Sequence, residues 1–411
     1  MKILILGNGG REHAIGKKLF EDNPSINIYF YPGNGGTSLI GKNIENYHST
    51  LELGFFAKKN GIDITIVGSE IFLMEKIVDI FHDFGLKIIG PNYLSSQLEV
   101  DRSFSKDFMK KYGISSPKYE VFSCYDKAVS FLEKKTKPLV IKTNGIAGGK
   151  GVFLVKNKNE AKKALKTIMI EKKFGNSGNK IIIEDYLQGI EASIISIFNG
   201  KHIIPFISAK DYKKIGENEI GVNTGGMGSI VPNPYMTNSV WLYFKKNILN
   251  PTLKGLILEK LIFFGFLYFG LMITSNKVYL LEYNVRMGDP ETQALLPLME
   301  SNLLNIIQSI FLKKKIYISW KKLYSCCVVL SSNGYPENYD IGKMISGLDS
   351  LKEPFYIAGA NKKKDKWITS SGRVLNIIGI GNTLKEARYK AYDKVKKIKF
   401  DNLYFRKDIG L

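Results

Sequence analysis

Alternating polar residues near position 284 could bind a metal ion and phosphate. If residues 278–286 form a strand, its period-two alternation directs Glu282, Asn284 and Arg286 to one face. A carboxylate and an amide oxygen two residues apart suit a hard cation such as Mg²⁺, whose other ligands would be phosphate and water. Arg286 would contact the same phosphates. The alternative is an exposed, salt-bridged strand face, but the Gly-Asp-Pro-Glu-Thr run at 288–292 and the unusual choice of Asn in a strand favour the metal site.

A glycine-rich segment in the first half of the chain could close over phosphates. The apolar runs 139–142 and 152–155 predict two strands, and the loop between them carries four glycines and Lys150. Glycines let backbone amides approach a ligand, and the ammonium group offsets phosphate charge. The G-x-x-x-x-G-K-[ST] order of a Walker loop is absent, and no helix follows immediately. The segment therefore predicts a flexible flap.

Two further segments carry polar residues where predicted strands end. Glu184 and Glu191 stand at the end of one strand and the start of the next, where they could hold an adenine amino group and ribose hydroxyls. Strand-end carboxylates are common, so this indication is weak by itself. A polar loop then runs from Asp211 to an Asn-Thr-Gly-Gly-Met-Gly sequence at 223–228. Long glycine-rich loops inside globular chains are usually lids or binding loops.

The N-terminal segment is typical of a parallel, doubly wound sheet. Residues 2–6 are an apolar run that ends in Gly-Asn-Gly-Gly, and similar runs alternate with helical stretches as far as residue 89. Ligands of such sheets bind at the carboxyl ends of the strands, where these glycines lie. Glu12 occupies the third glycine position of a dinucleotide fingerprint, which disfavours a nicotinamide dehydrogenase. Two interpretations of these glycines remain. Their backbone N–H groups could hold a phosphate, or the glycines could serve only to form two tight turns.

The composition is that of an ordinary globular protein with a strong basic bias. A length of 411 residues predicts two to four domains. The net charge of +21 suggests nucleic-acid binding, but only six of the 59 basic residues are Arg, and the lysines are spread along the whole chain. This pattern indicates drift in nucleotide composition and solvated faces. We therefore expect no nucleic-acid partner.

Cysteine usage and hydropathy predict a cytoplasmic protein. Three cysteines cannot form a disulfide framework, and no Cys/His spacing resembles a zinc site. The most apolar run, 261–273, is shorter than the roughly 18 residues that a membrane helix needs, and it predicts one or two buried strands. We expect a soluble chain in a reducing compartment, with no membrane partner.

Helix signals divide the chain. Asp101 can cap a helix that ends at Gly113, and Pro117 follows, so a boundary is expected near 100–117. Near the C-terminus, apolar runs at 325–330 and 374–380 predict strands, and residues 383–386 form a capping box for a final helix. These elements predict a small terminal α/β domain.

Taken together, the glycine flap, the acidic pair and the Glu-x-Asn strand resemble the ATP-grasp superfamily. Within it, the chain resembles the phosphoribosylamine–glycine ligase family, also called glycinamide ribonucleotide synthetases. The motifs that carry this resemblance stand in the family's order at 7–13, 32–34, 142, 147–151, 223–228, 286–293 and 406–410.

The resemblance implies an α/β fold with a multidomain ATP-grasp architecture. An N-terminal doubly wound parallel-sheet domain for substrate would cover 1–100. A two-part ATP-grasp domain would cover 101–320, with a flap subdomain at about 121–190. A small C-terminal α/β domain would cover 321–411.

The implied activity is a step of de novo purine biosynthesis. MgATP would phosphorylate the glycine carboxylate, and 5-phosphoribosylamine would then attack to give glycinamide ribonucleotide, ADP and phosphate. Catalysis would rest on positioning and charge stabilisation without a covalent protein nucleophile. ATP and Mg²⁺ are the implied cofactors, with Mn²⁺ as an alternative metal. We expect a monomer that makes transient contact with the enzyme that supplies phosphoribosylamine.

The resemblance also implies roles for individual residues. Glu282 and Asn284 would hold the metal, and Arg286, Lys213 and Asp211 would act in catalysis. The remaining implied residues bind nucleotide or substrate: for ATP they are Arg102, Lys142, Gly148, Gly149, Lys150, Glu184 and Glu191, and for the other substrates Gly9, Gly10, Asn34, Gly225, Gly226, Asp289 and Glu291.

Some positions depart from the family pattern. Arg102 replaces a lysine, which keeps the charge but changes the geometry. Asn144 follows Thr143 where Ala-Asp is usual, Tyr212 and Lys214 replace His and Arg, and the Gly-Ser-Glu run at 68–70 replaces Gly-Pro-Glu. None of these changes removes a metal ligand or a flap lysine, so we expect activity, with a reduced rate left open.

Two other functions remain as alternatives. Another ATP-grasp enzyme, such as an aminoimidazole ribonucleotide carboxylase, would share the flap and the metal strand but should lack the 223–228 loop sequence. A nucleic-acid binder would rest on charge alone, with an oligonucleotide affinity that falls steeply with salt and is unaffected by Arg286→Ala.

Overall fold

The first quarter of the chain folds around a parallel sheet. The computed structural model describes residues 1–275 and 277–411. Five strands pair in the order β3-β2-β1-β4-β5, all parallel. The elements are β1 (Lys2–Gly7), α1 (Gly10–Asp22), β2 (Asn27–Pro32), β3 (Lys42–Asn43), α2 (Thr50–Lys59), β4 (Ile64–Val67), α3 (Ile71–Met74), α4 (Ile77–Asp83), β5 (Ile88–Ile89) and α5 (Tyr93–Val100).

Both faces of this sheet are buried. Leu4 and Leu6 of β1 pack into one hydrophobic cluster, whereas Ile3 and Ile5 pack into another on the opposite face. Because successive side chains of a strand point to opposite faces, a strand with a core on each side reads as a continuous apolar run. The predicted doubly wound sheet is confirmed.

The flap is a small antiparallel sheet with its own core. Its strands pair in the order β6-β9-β7-β8, and Leu139 to Lys142 pair with Val155 to Val152. The two predicted strands and the glycine loop between them are therefore present as a hairpin. The elements are α6 (Arg102–Lys111), β6 (Tyr119–Phe122), α7 (Tyr125–Glu133), β7 (Leu139–Thr143), β8 (Val152–Val155), α8 (Lys158–Leu165), which continues as a π-helical turn (Lys166–Ile170), and β9 (Ile181–Asp185).

A second antiparallel sheet carries the predicted metal strand. It has the order β11-β10-β14-β15, and its longest pairing joins β10 to β14 along ten residues each. Most of the apolar run 261–273 forms one strand of this sheet, from residue 264 onward. The elements are β10 (Ile190–Asn199), β11 (Ile203–Pro205), β12 (Lys210–Asp211), β13 (Gly228–Val231), α9 (Asn238–Phe244), which leads through a π-helical turn (Lys245–Leu249) into α10 (Asn250–Leu258), β14 (Phe264–Ile273), β15 (Val278–Asn284), α11 (Glu291–Leu295) and α12 (Leu303–Phe311).

The C-terminal sheet takes strands from two parts of the chain. Its order is β12-β13-β16-β21-β18, so strands that precede residue 232 complete a sheet made mainly of residues after 323. The Thr383 hydroxyl accepts the Glu386 N–H, which confirms the predicted cap. The elements are β16 (Tyr324–Ser332), β17 (Met344–Ile345), β18 (Phe355–Ile357), β19 (Ala360–Lys363), β20 (Lys366–Thr369), β21 (Arg373–Gly381), α13 (Leu384–Val395) and β22 (Leu403–Tyr404).

Helix length bears on the membrane prediction. Among residues 1–275 and 277–411, no helix is both long and apolar enough to cross a bilayer.

Candidate active site

A buried triad of charges lies where the flap meets helix α6. The Nζ atoms of Lys106 and Lys142 lie 3.0 and 2.9 Å from the two carboxylate oxygens of Glu184. These side chains are 3%, 8% and 2% exposed. Burial raises the pKa of Glu184, but the attraction of the two lysines outweighs it and leaves that pKa below its usual range. Both predicted residues, Lys142 and Glu184, therefore meet in one ion-paired group.

Sequence reasoning missed Lys106. It lies one helical turn after Arg102 on α6, so the two cations share a face, and this spacing is the signal that could have found it. Burial lowers the pKa of Lys106, and Glu184 opposes that shift.

Lys213 lies between the two predicted carboxylates of the nucleotide and metal sites. Its Nζ lies 3.4 Å from Glu191 and 3.5 Å from Glu282. Burial raises the pKa of Glu282, but Lys213, Arg102 and Lys142 together lower it to about 2. Burial lowers the pKa of Lys213, and the carboxylates, Glu191 first, bring it well above its usual range. Glu282 is therefore ionised at neutral pH and can serve as a metal ligand.

The donor set around Glu282 suits a hard cation that also binds phosphate. Glu282 and Asn284 are two residues apart on β15 and both are partly exposed. In the part of the chain that the structure describes, no group of three or more His, Cys, Asp or Glu side chains converges as a metal site. A cation here would take its remaining ligands from phosphate and water, which is the usual way Mg²⁺ is held.

Arg286 pairs with two carboxylates that sequence reasoning did not assign. Its Nε lies 2.9 Å from Glu70 and its Nη2 lies 2.9 Å from Glu99. Glu99 also accepts the Val285 N–H at 2.8 Å. The predicted strand ends at Asn284, two residues before Arg286, so the prediction that Arg286 continues the same strand face is wrong. Arg286 lies beside the metal strand, and its carboxylate partners anchor it toward the N-terminal unit.

The base of the flap's glycine loop is held by hydrogen bonds, and its tip is exposed. Arg102 donates through Nη1 to the carbonyls of Thr143 and Gly145, both at 2.9 Å. Lys150 is exposed. Gly149 has a φ of +78°, and a Cβ added there would lie 3.1 Å from the Thr224 carbonyl. A glycine at this position lets the flap tip approach the 223–228 loop.

The 211–228 loop encloses a buried carboxylate. Asp211 is buried, and in the described structure its Oδ1 has no hydrogen-bond partner. Burial, with the nearby charge of Glu291, raises its pKa well above the usual range. A Cβ added at Gly226 would lie 2.8 Å from that oxygen, so this glycine, at a φ of +108°, leaves room for the carboxylate. Glu291 accepts a hydrogen bond from Ser193 at 2.8 Å.

The C-terminus holds this loop in place. Arg406, whose side chain is 0% exposed, pairs with Glu219 at 2.8 Å and donates to the Lys214 carbonyl at 3.0 Å. Tyr212, which stands where the family usually has His, is buried, and its hydroxyl accepts the Gly410 N–H at 3.1 Å. Tyr212 therefore packs as part of the C-terminal core.

A polar cleft of about 410 Å³ lies between the N-terminal and C-terminal units. Arg373 pairs with Asp289 at 3.2 Å and donates to the Gly225 carbonyl at 2.6 Å. Sequence reasoning missed Arg373, although the Ser-Ser-Gly-Arg run at 370–373 is a recognisable polar turn with one of six arginines. The cleft is lined by Asn8, Gly9, Gly33, Asn34, Asp289, Tyr335, Ala358, Gly359, Asn361, Ser370, Ser371 and Arg373.

Two of the residues predicted to bind substrate, Asn34 and Gly10, support the wall of this cleft. The Asn34 amide donates to the carbonyls of Asn8 at 2.8 Å and Ile357 at 3.0 Å, so its side chain supports the glycine turn. Gly10 packs against Asn376, which leaves no space for a side chain. A larger groove of about 680 Å³ lies elsewhere, beside Trp241 and Trp320, and contains none of the predicted residues.

Comparisons with known proteins agree with this architecture. Residues 1–99, 100–292 and 325–411 match the models of the N domain, the ATP-grasp (A) domain and the C domain of phosphoribosylglycinamide synthetase. Phosphoribosylamine–glycine ligases of Fusobacterium nucleatum and Clostridium acetobutylicum are each 48% identical to this chain, covering 100% of it and 98% and 99% of their own lengths.

Solved structures give the same result. The phosphoribosylamine–glycine ligase of Thermotoga maritima matches with a TM-score of 0.87 and 32% identity over 100% of both chains. The N5-carboxyaminoimidazole ribonucleotide synthetase of the same organism matches with a TM-score of 0.64 at 15% identity, which is a likeness of fold alone. The predicted family and fold class are confirmed, and the chain belongs to the phosphoribosylamine–glycine ligase family.

Proposed function

We propose that this chain ligates glycine to 5-phosphoribosylamine at the expense of ATP, giving glycinamide ribonucleotide, ADP and phosphate. One observation carries the proposal. The segment from Glu282 to Asp289 links the carboxylates of a phosphoryl-transfer site to the Arg373 pair in the polar cleft. A ligase that activates one substrate and joins it to another needs both sites within reach of each other.

ATP binds under the flap in this proposal. Lys142 and the exposed Lys150 contact its phosphates, and Glu184 and Glu191 line the nucleotide pocket. Gly148 and Gly149 let the flap backbone approach the phosphates. Arg102 supports this function indirectly, since it fastens the base of the glycine loop.

Glu282 and Asn284 hold Mg²⁺, with Mn²⁺ as an alternative. The ion would neutralise charge on the transferring phosphoryl group when bound. The ionised state of Glu282 supports this role. Lys213, which lies between Glu282 and Glu191, offsets part of their negative charge.

The glycine carboxylate takes the γ-phosphoryl group, and ADP leaves. The amine nitrogen of phosphoribosylamine then attacks the carbonyl carbon, phosphate departs, and the nitrogen loses a proton. Asp211 and Glu291 are the groups best suited to hold the glycine ammonium, because both are buried and their charges repel each other, and a bound cation would relieve that repulsion. Lys213 and Arg286 stabilise the anionic charge that develops during phosphoryl transfer.

The polar cleft receives phosphoribosylamine. Arg373 offers a guanidinium group for its phosphate, and Ser370 and Ser371 offer hydroxyl groups. The backbone at Gly9 and the Gly225–Gly226 turn lie around the same space. Asp289 orients Arg373 and lies between the cleft and the metal strand.

The proposal also covers the protein's location, oligomeric state, partners and domain boundaries. We propose that the chain works as a cytoplasmic monomer, without nucleic-acid or membrane partners and with transient contact to the enzyme that produces phosphoribosylamine. The domain division at 1–100, 101–320 and 321–411 stays a prediction. At 15% identity, the fold likeness to the N5-carboxyaminoimidazole ribonucleotide synthetase carries no argument about substrate.

The test is ADP release by the purified protein with MgATP and glycine, with and without phosphoribosylamine generated in situ. We expect release to require both substrates and mass spectrometry to detect glycinamide ribonucleotide. Glu300→Gln, an exposed carboxylate outside the site, is the matched control for site variants. No release from a protein that nucleotide still stabilises thermally would contradict the proposed substrates while leaving the fold intact.

A further inference from the structure

Arg286 lies at the centre of a cluster of buried and half-buried charges between the N-terminal unit and the ATP-grasp core. We call Arg286, Glu70, Glu99, Arg11 and Glu12 the Arg286 cluster. Glu99 belongs to α5, and Glu70 directly precedes α3, so both carboxylates come from the N-terminal unit, whereas Arg286 follows β15. Both carboxylates lie 2.9 Å from guanidinium nitrogens.

The two carboxylates hold Arg286 differently. Glu99 binds the main chain as well as the side chain, since it accepts the Val285 N–H at 2.8 Å. The Glu70 carboxylate meets Arg286 at the side chain, 2.9 Å from Nε. The attraction of Arg286 lowers the pKa of Glu70 to about 2, against the effect of burial. Glu99 therefore holds the main chain that follows β15 as well as the arginine, whereas Glu70 holds only the guanidinium end of Arg286.

A chain of hydrogen bonds continues from Arg286 to the cleft. Arg286 Nη1 and Arg11 Nη1 both donate to the Met287 carbonyl at 3.1 Å. Arg11 Nε donates to Glu12 at 2.6 Å, and the other Glu12 oxygen accepts the Gly9 N–H at 2.7 Å. The glycine turn that lines the cleft and the arginine beside the metal strand thus share one polar network.

We propose that Glu70 is a positioning residue for ligation, which holds the Arg286 guanidinium group in its place beside the metal strand without touching ATP, glycine or phosphoribosylamine. The inference rests on the proposed function, because it assigns Arg286 to phosphoryl transfer. Without Glu70, Glu99 remains the only carboxylate that the structure places on Arg286, and the guanidinium group gains freedom to rotate about its long side chain. Small misplacements of a catalytic group lower rates steeply.

The first test compares Glu70→Gln with Glu75→Gln, a control with the same chemistry at an exposed position after the same short helix. We expect Glu70→Gln to lower kcat about tenfold or more, with KM for ATP changed by less than about twofold. Glu75→Gln should match the wild type. Glu70→Asp keeps the charge on a shorter side chain and should recover part of the loss.

The second test is a double-mutant cycle with Arg286→Lys. If Glu70 acts through Arg286, Glu70→Gln adds little to the loss that Arg286→Lys already causes. If the double variant instead loses kcat by the product of the two single losses, Glu70 acts independently of Arg286, and this result overturns the inference.

The remaining outcomes are also decisive. A Glu70→Gln protein with wild-type kcat, or one whose melting temperature falls while kcat stays normal, overturns the inference and leaves the proposed function standing. A wild type that releases no ADP with glycine and phosphoribosylamine refutes the proposed function, and the inference with it.

Discussion

His13 makes the junction between the N-terminal and C-terminal units sensitive to pH. It lies on α1, and its Nδ1 accepts the N–H of Ile357 in β18 at 2.9 Å. Burial is the main cause that lowers the pKa of His13, and the charge of Lys17 adds to it, bringing the pKa to about 3. Protonation would put a hydrogen on the nitrogen that receives the Ile357 N–H, so the bond requires a neutral ring.

The size of the effect follows from the difference in pKa between folded and unfolded chains. The unfolded chain takes up a proton below its ordinary pKa of 6.5, whereas the folded chain stays neutral until about 3. The stability from the neutral ring is therefore complete above pH 6.5 and is lost as the pH falls toward 3. Between pH 7.5 and pH 5, linkage gives a loss of about 2 kcal/mol in the free energy of unfolding.

Urea denaturation of the wild type and His13→Asn at both pH values isolates this contribution. Asn is chosen because its side-chain oxygen can accept the Ile357 N–H but does not titrate. The wild type should lose about 2 kcal/mol more than the variant between pH 7.5 and pH 5. His48→Asn, at an exposed position, should behave as the wild type. If the wild type and His13→Asn lose equal stability within about 0.5 kcal/mol, the reasoning is refuted.

Three further predictions concern the site. Arg373→Met should raise KM for phosphoribosylamine about tenfold or more, because a charge-assisted contact is worth about 1.5–3 kcal/mol, and unchanged steady-state kinetics would remove the arginine from the phosphate site. Glu282→Gln should lower ADP release about 100-fold and weaken Mg²⁺-dependent nucleotide binding in calorimetry; unchanged ADP formation would mean that the metal assignment is wrong. Lys106→Met should lower the free energy of unfolding by about 3 kcal/mol in urea titrations, because it leaves Glu184 buried with one partner instead of two, and a stable variant would show that Lys142 alone suffices.

Local patterns in the sequence were enough to predict the main elements. The apolar runs of the N-terminal sheet, the hairpin around the glycine flap and the Thr383 cap all appear where they were expected. Each of these features depends on residues within one or two turns or strands of each other, and hydrophobic periodicity and capping chemistry report such short-range preferences. The order of the motifs along the chain was likewise sufficient to predict the family.

The partners of the charged residues were decided by the tertiary structure. Glu99 and Arg286 are 187 positions apart in the chain, and Arg373 and Asp289 are 84 positions apart, yet each pair is in contact. Composition and spacing predict that a carboxylate or an arginine is present but not which distant group neutralises it, because that depends on how the sheets pack. Sequence reasoning therefore found Arg286 and Asp289 but missed Glu99 and Arg373.

The metal site shows both kinds of information, because some of its geometry is local to one strand and some depends on distant segments. The sequence alone determined that Glu282 and Asn284 share a strand face, since alternation is a property of every strand. Only the folded chain decided that Lys213 lies between Glu282 and Glu191, because three separate segments must converge before their charges can interact. Electrostatic attraction acts through space, and the sequence records only neighbours along the chain.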